Sequence, residues 1–478
     1  MAASSKKKWW ILANISVGTF MATLDGSIAN VALPTISHAF MISLHTVQWV
    51  VTAYLLTICA MLPIIGKIAD RIGRNRVYNA GFLLFSLGSL LCSLSGHIAW
   101  LILSRILQGI GASLLMANNQ AIVASTFAVT QRGRAMGITG AMVSLGSLTG
   151  PAIGGILVSA FGWPSIFYIN VPIGVIGFVA GLFILSAQPM TTKKEPFDYL
   201  GSSLFILGIT LFLYAFSNAP TWGLTSPLTY GGLVIAIILL ALFVLRERKA
   251  KFPMLDLTLF AIRAFRTGTL AAMLSFISLF CTTVMMPFFM MEALHYSPST
   301  TGYVMAAYPL TMVLTAPISG AISDKIGPFW LTTSGLLLNV LGFILLNSLS
   351  TSVAPWLVAL HMAIFGIGQG MFQSPNNAAV MGSVDKARLS VASGINALVR
   401  NIGMVLGISL SVLLFSYQMF FLTGRFVQVG VEVVDPKAFL TSLHTVFYAA
   451  ALAALLGAIA SVRRRRSPSS NRMHKKQN

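Results

Sequence analysis

Two ionisable side chains fall inside long apolar stretches of the sequence, where charged groups are rarely found. Asp25 is the only acidic residue well inside such a stretch. An ionised carboxylate in the centre of a bilayer costs about 2.5–3.5 kcal/mol or more. It therefore pairs with an opposite charge, lines a water-filled cavity, or binds and releases a proton. The alternative is a structural carboxylate that only holds helices together.

A partner for Asp25 follows from its depth in the membrane. Asp25 lies about 15 residues past Trp10, so it has risen about 22 Å through a hydrocarbon core of about 30 Å. Arg105 lies about seven residues into a stretch that enters from the opposite side, at a depth of about 10 Å. The two depths agree, and an arginine can hold a carboxylate ionised. Gln108 lies one turn further inward on the same helix face.

The composition explains what surrounds these residues. The chain has 478 residues, of which 56% are hydrophobic and 9% are charged, whereas a soluble domain has about 25% charged residues. Lipid must therefore be the solvent for much of the chain. The net charge of +20 does not indicate nucleic acid, because the basic residues lie in short patches between apolar runs. Cys59, Cys92 and Cys281 are spaced like neither a metal site nor a disulfide framework.

Long apolar runs predict an all-α membrane protein. A spanning helix needs about 20 apolar residues, and these runs far exceed the alternating ~10-residue segments of an outer-membrane barrel. We predict fourteen spans, at 10–32, 47–66, 77–96, 98–126, 135–160, 165–186, 199–218, 229–246, 268–291, 301–322, 330–349, 355–382, 390–420 and 440–462.

The distribution of basic residues predicts the orientation. If the chain starts inside and alternates, most of the 31 Lys and Arg residues fall in segments on the inner side. Cytoplasmic loops carry this excess of positive charge. Both termini are therefore predicted to be cytoplasmic. We expect a monomer in the lipid bilayer of a bacterial cell membrane.

An internal repeat divides the chain. Residues 66–76 read GKIADRIGRNR and residues 320–330 read GAISDKIGPFW. Each follows an apolar span and precedes another, the first after span two and the second after span ten. Six spans, an inserted pair and six more spans reproduce that offset. Parallel halves of six helices are the architecture of the major facilitator superfamily.

The first copy of the repeat resembles the signature loop of that superfamily. Gly66 and Gly73 permit a tight turn between close-packed helices. The resemblance implies that Asp70, Arg71 and Arg74 latch the inner side when the protein opens outward. An ordinary positively charged cytoplasmic loop is the alternative.

The repeat and the spans give four predicted regions. Residues 1–186 form a six-helix bundle, and residues 187–267 form a linker that contains spans seven and eight. Residues 268–462 form the second six-helix bundle, and residues 463–478 form a basic cytoplasmic tail. We expect the inserted pair of spans to pack at the periphery.

The fifth span is rich in glycine. Gly146, Gly150 and Gly154 are four residues apart, so they share one helix face and permit close approach of another helix. Pro151 removes a helical hydrogen bond and can kink the helix. Together with Gly155, this pattern resembles the motif that marks exporters within the superfamily. A packing face of small residues is the alternative.

Two further stretches resemble family motifs and assign roles to the ionisable pair. Residues 24–34 read LDGSIANVALP and resemble the first-span motif of the fourteen-span drug:proton antiporters. Residues 101–111 read LILSRILQGIG and resemble the fourth-span motif, whose arginine is associated with proton transfer. The resemblance implies that Asp25 and Arg105 couple proton movement to transport, with two halves that rock about a central cavity.

Several residues are candidates for the substrate cavity, each with a structural alternative. Met285 and Met286 either form an adaptable apolar wall or are plain lipid-facing or packing residues. Glu292 falls at the outer mouth of span nine, where it is either merely solvated or attracts cationic substrates. Arg400 lies near mid-membrane in span thirteen, where it has either a structural role or a role in the cavity. Gln108 completes the set.

Missing motifs narrow the function further. The chain has no phosphate-binding G-x-x-x-x-G-K-[ST] loop, no metal-spaced cluster and no nucleophile–base set. We therefore expect no enzyme activity, no cofactor and transport driven by the proton gradient. The substrate could be a lipophilic cation, an antibiotic or a metabolite. The alternatives are a proton-coupled uptake symporter and a non-transporting membrane receptor or scaffold.

Overall fold

The computed structural model describes residues 5–127, 129–185, 198–223, 225–250, 253–350, 352–385, 388–424 and 435–463. Lys193 and Lys194 of the linker, and the tail beyond Arg463, lie outside these residues. The described chain is almost entirely helical. Its helices are α1 (Ser5–Phe40), α2 (Leu44–Val47), α3 (Trp49–Ile72), α4 (Arg74–Ser93), α5 (Ile98–Thr126), α6 (Val129–Phe161), α7 (Ser165–Tyr168), α8 (Asn170–Ile184), α9 (Tyr199–Trp222), α10 (Pro227–Lys249), α11 (Arg263–Phe288), α12 (Pro298–Ile326), α13 (Pro328–Leu346), α14 (Pro355–Met381), α15 (Leu389–Thr423) and α16 (Pro436–Arg463).

Each predicted span corresponds to a helical pass. Within the described residues, thirteen passes are long and apolar enough to cross a membrane. The remaining pass is α4, predicted as 77–96. It is more polar because its first turn contains Arg74 and Arg76, yet it buries Phe82 and Phe85 against its neighbours. The all-helical membrane fold is therefore confirmed.

The repeated loop has the same backbone geometry in both halves. Gly73 ends α3 with φ +109°, and Gly327, the equivalent position of the second copy, ends α12 with φ +83°. Side chains other than glycine rarely adopt these angles. Each glycine N–H donates to a carbonyl of the last helical turn, that of Ala69 at 2.9 Å and that of Ser323 at 2.8 Å. Gly66, in contrast, lies within α3 with open space around it, so the prediction that it shapes the turn is wrong.

The two ends of the helix bundle can be told apart by the chain ends. The side chain of Lys8 near the start of α1 donates to Gln131 near the start of α6 at 2.8 Å. Arg263 at the start of α11 donates to the backbone oxygen of Arg463 at the end of α16, at 2.9 Å. An even number of helical passes separates the start of α1 from the start of α11 and from the end of α16, so both contacts lie at one end of the bundle. We call it the terminal end and the opposite end the far end.

The passes form two six-helix bundles with an inserted pair. In the first bundle α1 packs on α6, and α4 packs on α5 and α8; in the second, α11 packs on α15 and α16, and α12 packs on α14. The bundles meet where α6 contacts α12, α3 contacts α15 and α1 contacts α11. The inserted α10 packs mainly on α9 and is largely exposed, as expected of a peripheral helix. The inserted α9 contacts both α3 and α15, so it touches both bundles.

Candidate functional site

The structure brings Asp25 of α1 and Arg105 of α5 into direct contact in the interior of the first bundle. Arg105 Nη1 lies 2.6 Å from Asp25 Oδ2, and neither side chain has any exposed surface. A buried ion pair is stable only when its remaining polar atoms are also hydrogen-bonded. The surroundings of the pair therefore decide what it can do.

Two carboxamides complete the shell around the carboxylate. Gln108 Nε2 and Asn170 Nδ2 donate to Asp25 Oδ1, at 2.8 Å and 3.0 Å. Gln108 also accepts a hydrogen bond from Arg105 Nη1 at 2.5 Å and donates to Ser89 Oγ at 2.7 Å. Gln108 thus belongs to this buried network and lines no open cavity here. Asn170 was missed by the sequence analysis, although an asparagine inside the sixth apolar run is itself a signal.

The guanidinium of Arg105 is held on its other sides as well. Its Nε donates to the backbone oxygen of Val50 at 2.7 Å. Its Cζ lies 4.2 Å from the centre of the Tyr54 ring and 5.4 Å from that of Phe167, distances at which an arginine and an aromatic ring attract each other. Its Nη2, however, is buried without a hydrogen-bond partner among the described residues. The shell of hydrogen-bond partners around Arg105 therefore lacks one acceptor.

This geometry makes the protonation of Asp25 structurally consequential. A proton on Asp25 would cancel the carboxylate charge and leave Arg105 as an uncompensated buried cation. Breaking a buried pair by removing one partner costs about 3–5 kcal/mol. A rearrangement that hydrates Arg105 would relieve that cost.

The glycines of the fifth span pack against the turn of α1 that carries Asp25. A Cβ added at Gly146 would lie 2.5 Å from Thr23 Oγ1, and one at Gly154 would lie 2.7 Å from Ile28 Cγ1. A Cβ at Gly150 would collide with Ser27 Oγ. These three positions therefore admit no side chain while α1 and α6 keep this spacing. Pro151 lies within α6 without ending it.

Gly155 faces a different helix, across the boundary between the bundles. A Cβ there would lie 2.5 Å from the backbone oxygen of Pro298 and 3.0 Å from the Cα of Gly302, both in α12. One turn further on, Ser159 Oγ accepts a hydrogen bond from the backbone N–H of Ser299 at 3.1 Å. The glycine motif thus contacts both its own bundle and the opposite one.

Glu292 forms the second polar link between the bundles. It lies in a π-helical turn, Phe289–Ala293, that continues α11 at the far end. Its Oε1 lies 2.6 Å from Nε2 of His38 in the last turn of α1. Glu292 is thus in contact with the other bundle in this conformation. Between described residues, both hydrogen bonds that join the bundles lie at the far end.

The remaining candidates occupy different environments. Met285 and Met286 have no exposed surface and belong to the packed core, so in this conformation they are packing residues and do not form a cavity wall. Arg400 is half-buried on α15, with its Cζ 5.8 Å from the centre of the Phe276 ring. Its Nε is buried and has no hydrogen-bond partner among the described residues.

The charged residues of the first repeated loop lie at the terminal end. Arg74 Nη2 lies 2.7 Å from Asp70 Oδ1, one helical turn away, and both side chains are partly exposed. Arg71 is half-buried. An exposed pair of this kind contributes about 0.3–0.5 kcal/mol. It can therefore break and re-form at little cost, which a latch requires.

Two six-helix bundles that share one backbone plan, the first with a buried ion pair in its interior, are characteristic of a membrane transport protein. The chain matches the sequence profile of the Major Facilitator Superfamily over residues 15–265 and 268–477. It therefore belongs to that superfamily and is a transporter, not an enzyme.

Similar proteins agree with this assignment, and a solved structure shares the fold. The riboflavin transporter RibZ of Clostridioides difficile is 39% identical over 402 residues, which cover 84% of this chain and 87% of the relative. The multidrug transporter protein MdtP of Bacillus subtilis is 32% identical over 407 residues, covering 84% and 74%. The multidrug resistance protein Stp of Mycobacterium tuberculosis is 33% identical over 392 residues, covering 82% and 73%. The crystal structure of a bacterial homologue of the human lysosomal transporter Spinster shares the fold, with a TM-score of 0.68 at 17% identity over 98% of this chain and 100% of that one.

Proposed function

We propose that this transporter exports small molecules in exchange for protons, as a drug:proton antiporter. The observation that carries the proposal is the fully buried contact of 2.6 Å between Arg105 and Asp25. A transporter without ion coupling gains nothing from the cost of burying such a pair. Two relatives that are named for multidrug transport or resistance support the choice of substrate class.

In the proposed cycle Asp25 carries the proton and Arg105 sets its affinity. A proton from the acidic outer side neutralises Asp25 and releases Arg105, and the far end then rearranges. On the alkaline inner side the proton leaves, and the pair re-forms. The proton gradient drives this cycle without a cofactor. We place the protein as a monomer in a bacterial cell membrane, with both termini in the cytoplasm.

Two groups of contacts would alternate during the cycle. The far end is held by the His38–Glu292 pair and by the approach of Gly155 to Gly302. Asp70, Arg71 and Arg74 would hold the terminal end when the far end opens.

Everted membrane vesicles test the proposal directly. Ethidium and riboflavin serve as fluorescent probes, and a protonophore removes the gradient. Gradient-dependent accumulation of a probe, with proton release when the probe is added, is the expected result. Accumulation of neither probe, or accumulation that the protonophore leaves unchanged, would contradict proton-coupled export.

A second candidate is riboflavin transport by uptake with protons. The similarity to a protein named riboflavin transporter favours riboflavin as a substrate. The direction of riboflavin flux distinguishes the two. Symport predicts proton-driven accumulation in right-side-out vesicles, whereas export predicts it in everted ones.

A further inference from the structure

Among the described residues, three charged side chains lie well inside membrane helices: Asp25, Arg105 and Arg400. The first two neutralise each other. Arg400 contacts no acidic residue in the described part of the chain. An arginine in a protein stays protonated, so Arg400 is a permanent positive charge without a counter-ion from this chain.

The position of Arg400 makes this charge costly. It lies about 11 residues from the start of α15, which is about 16 Å from the terminal end and near mid-membrane. Intramembrane charges are expensive and normally face a partner or a water-filled cavity. The nearby Phe276 ring supplies only a weak attraction. The buried Nε without a partner shows that the guanidinium is not satisfied by the protein itself.

A polar surface extends from Arg400 toward the terminal end. Asn396 precedes Arg400 by one helical turn and therefore shares its face of α15. Its Nδ2 donates to Oδ1 of Asn377 on α14 at 2.8 Å, while its own Oδ1 is buried without a described partner. Asn377 is exposed. An exposed carboxamide in a membrane helix is stable in contact with water but not in contact with lipid, because lipid offers it no hydrogen-bond partner. The surface between α14 and α15 thus offers donors and acceptors to a solute.

We propose that Arg400 binds two adjacent acceptor atoms of the transported molecule, such as the oxygens of a carboxylate or a carbonyl oxygen beside a ring nitrogen, with the Phe276 ring beside it. Arginine presents a planar fork of donors that matches such groups with two parallel hydrogen bonds. A lipophilic cation would instead be repelled by the uncompensated charge. The substrate class is therefore an anionic or neutral oxygen-rich molecule. The inference rests on the proposed transport of small molecules but not on its coupling to protons.

Binding to the purified, full-length protein in detergent tests this assignment without any gradient. Three fluorescent probes differ in the group they present: fluorescein carries a carboxylate, riboflavin carries an uncharged ring with a carbonyl oxygen beside a ring nitrogen, and ethidium carries a positive charge. The wild type should bind fluorescein or riboflavin at least about tenfold more tightly than ethidium, and the better ligand of the two shows whether Arg400 recognises a carboxylate or an uncharged pair of acceptors. Arg400→Gln should weaken that binding by about tenfold or more, the usual value of a hydrogen bond to a charged group, and should not weaken ethidium binding.

Two further variants keep the result interpretable. Arg248→Gln removes the same charge from an exposed position near the end of α10 and should leave all three affinities unchanged. Arg400→Lys keeps the charge but removes the fork of donors, so this variant should continue to exclude ethidium while binding the oxygen-rich probe less tightly. It replaces Arg400→Gln in the binding test if that variant does not fold. Wild-type affinity for every probe in both Arg400 variants would overturn the assignment. So would a wild type that binds ethidium alone or none of the three. Because no gradient is applied, failure here is separate from failure of proton coupling.

Discussion

Gly155 of α6 and Gly302 of α12 touch across the boundary between the two bundles. A Cβ added at Gly155 would lie 3.0 Å from the Cα of Gly302, and one added at Gly302 would collide with the backbone oxygen of Pro151. Neither helix can carry a side chain at this point while the far end remains closed. The glycine motif of the fifth span therefore has a role at the interface between the bundles as well as inside its own.

Gly155→Leu should prevent the far end from closing. Overpacking of a tight contact costs about 1–3 kcal/mol, so the closed state should lose most of its population and probe transport in vesicles should fall. Closure can be followed by cross-linking cysteines placed at Ser159 and Ser299, which form a hydrogen bond in the closed state. The native cysteines are buried and should not react.

Gly140→Leu is the matched control on the same helix. Gly140 is exposed, and an added Cβ would meet no atom within 4 Å. This variant should cross-link and transport like the parent. Equal cross-linking in the Gly155 and Gly140 variants would show that the contact between Gly155 and Gly302 does not control closure.

Glu292→Gln should weaken closure of the far end more mildly. The pair with His38 is partly exposed and is charged on both sides only while His38 is protonated. Pairs of this kind contribute about 0.2–1 kcal/mol, which corresponds to a shift of about 1.4-fold to fivefold in the open-to-closed ratio. The measurement is the rate at which a membrane-impermeant thiol reagent labels a cysteine at position 299. The control is Asp435→Asn, which removes a carboxylate at the same end that does not contact the other bundle, and this variant should not change the labelling rate. An equal increase of the labelling rate in both variants would point to a general effect of charge.

Asp25→Asn should abolish gradient-driven transport while retaining downhill exchange. The substitution imitates the protonated carboxyl and leaves Arg105 uncompensated, so it should also lower stability by about 3–5 kcal/mol. The double variant Asp25→Asn with Arg105→Gln should recover most of that stability, because both charges are removed, but it should not recover coupling. Thermal unfolding and substrate-induced proton release from everted vesicles measure the two effects separately. Proton release at the wild-type ratio in Asp25→Asn would place coupling elsewhere.

Reporter fusions test the orientation. Fusions at Lys7 and at Asn478 should both read as cytoplasmic, because the excess of basic residues lies on the side of the termini. Because an even number of helical passes separates the start of α1 from the end of α16, both lie at the same end of the bundle and the two fusions should agree. Opposite results would mean an odd number of membrane crossings.

Different parts of the site could be predicted to different degrees. The depth of a residue follows from its position along a helix, so Asp25 and Arg105 could be matched from the sequence. Rotation about a helix axis follows from packing, so the sequence did not reveal that Gly155 faces away from the helix that Gly150 contacts. The contact of Glu292 with His38 depends on how two bundles dock, which motifs within one bundle do not encode. The environment of Met285 and Met286 could not be chosen from the sequence, because an apolar residue in a membrane helix can face lipid, a cavity or the core equally well.

The inserted helix α9 gives the closed far end a support that a transporter with only the two bundles would not have. The backbone oxygen of Ser217 accepts a hydrogen bond from His45 Nε2 at 3.2 Å on the side of the first bundle, and its hydroxyl lies 2.5 Å from that of Ser409 on α15. One residue of the insert is therefore bonded to both moving parts. A residue bonded in this way affects how long the far end stays closed without contacting the substrate. Substitutions at Ser217 should thus change turnover while leaving selectivity as it is, so speed and substrate choice are adjustable at separate places in this chain.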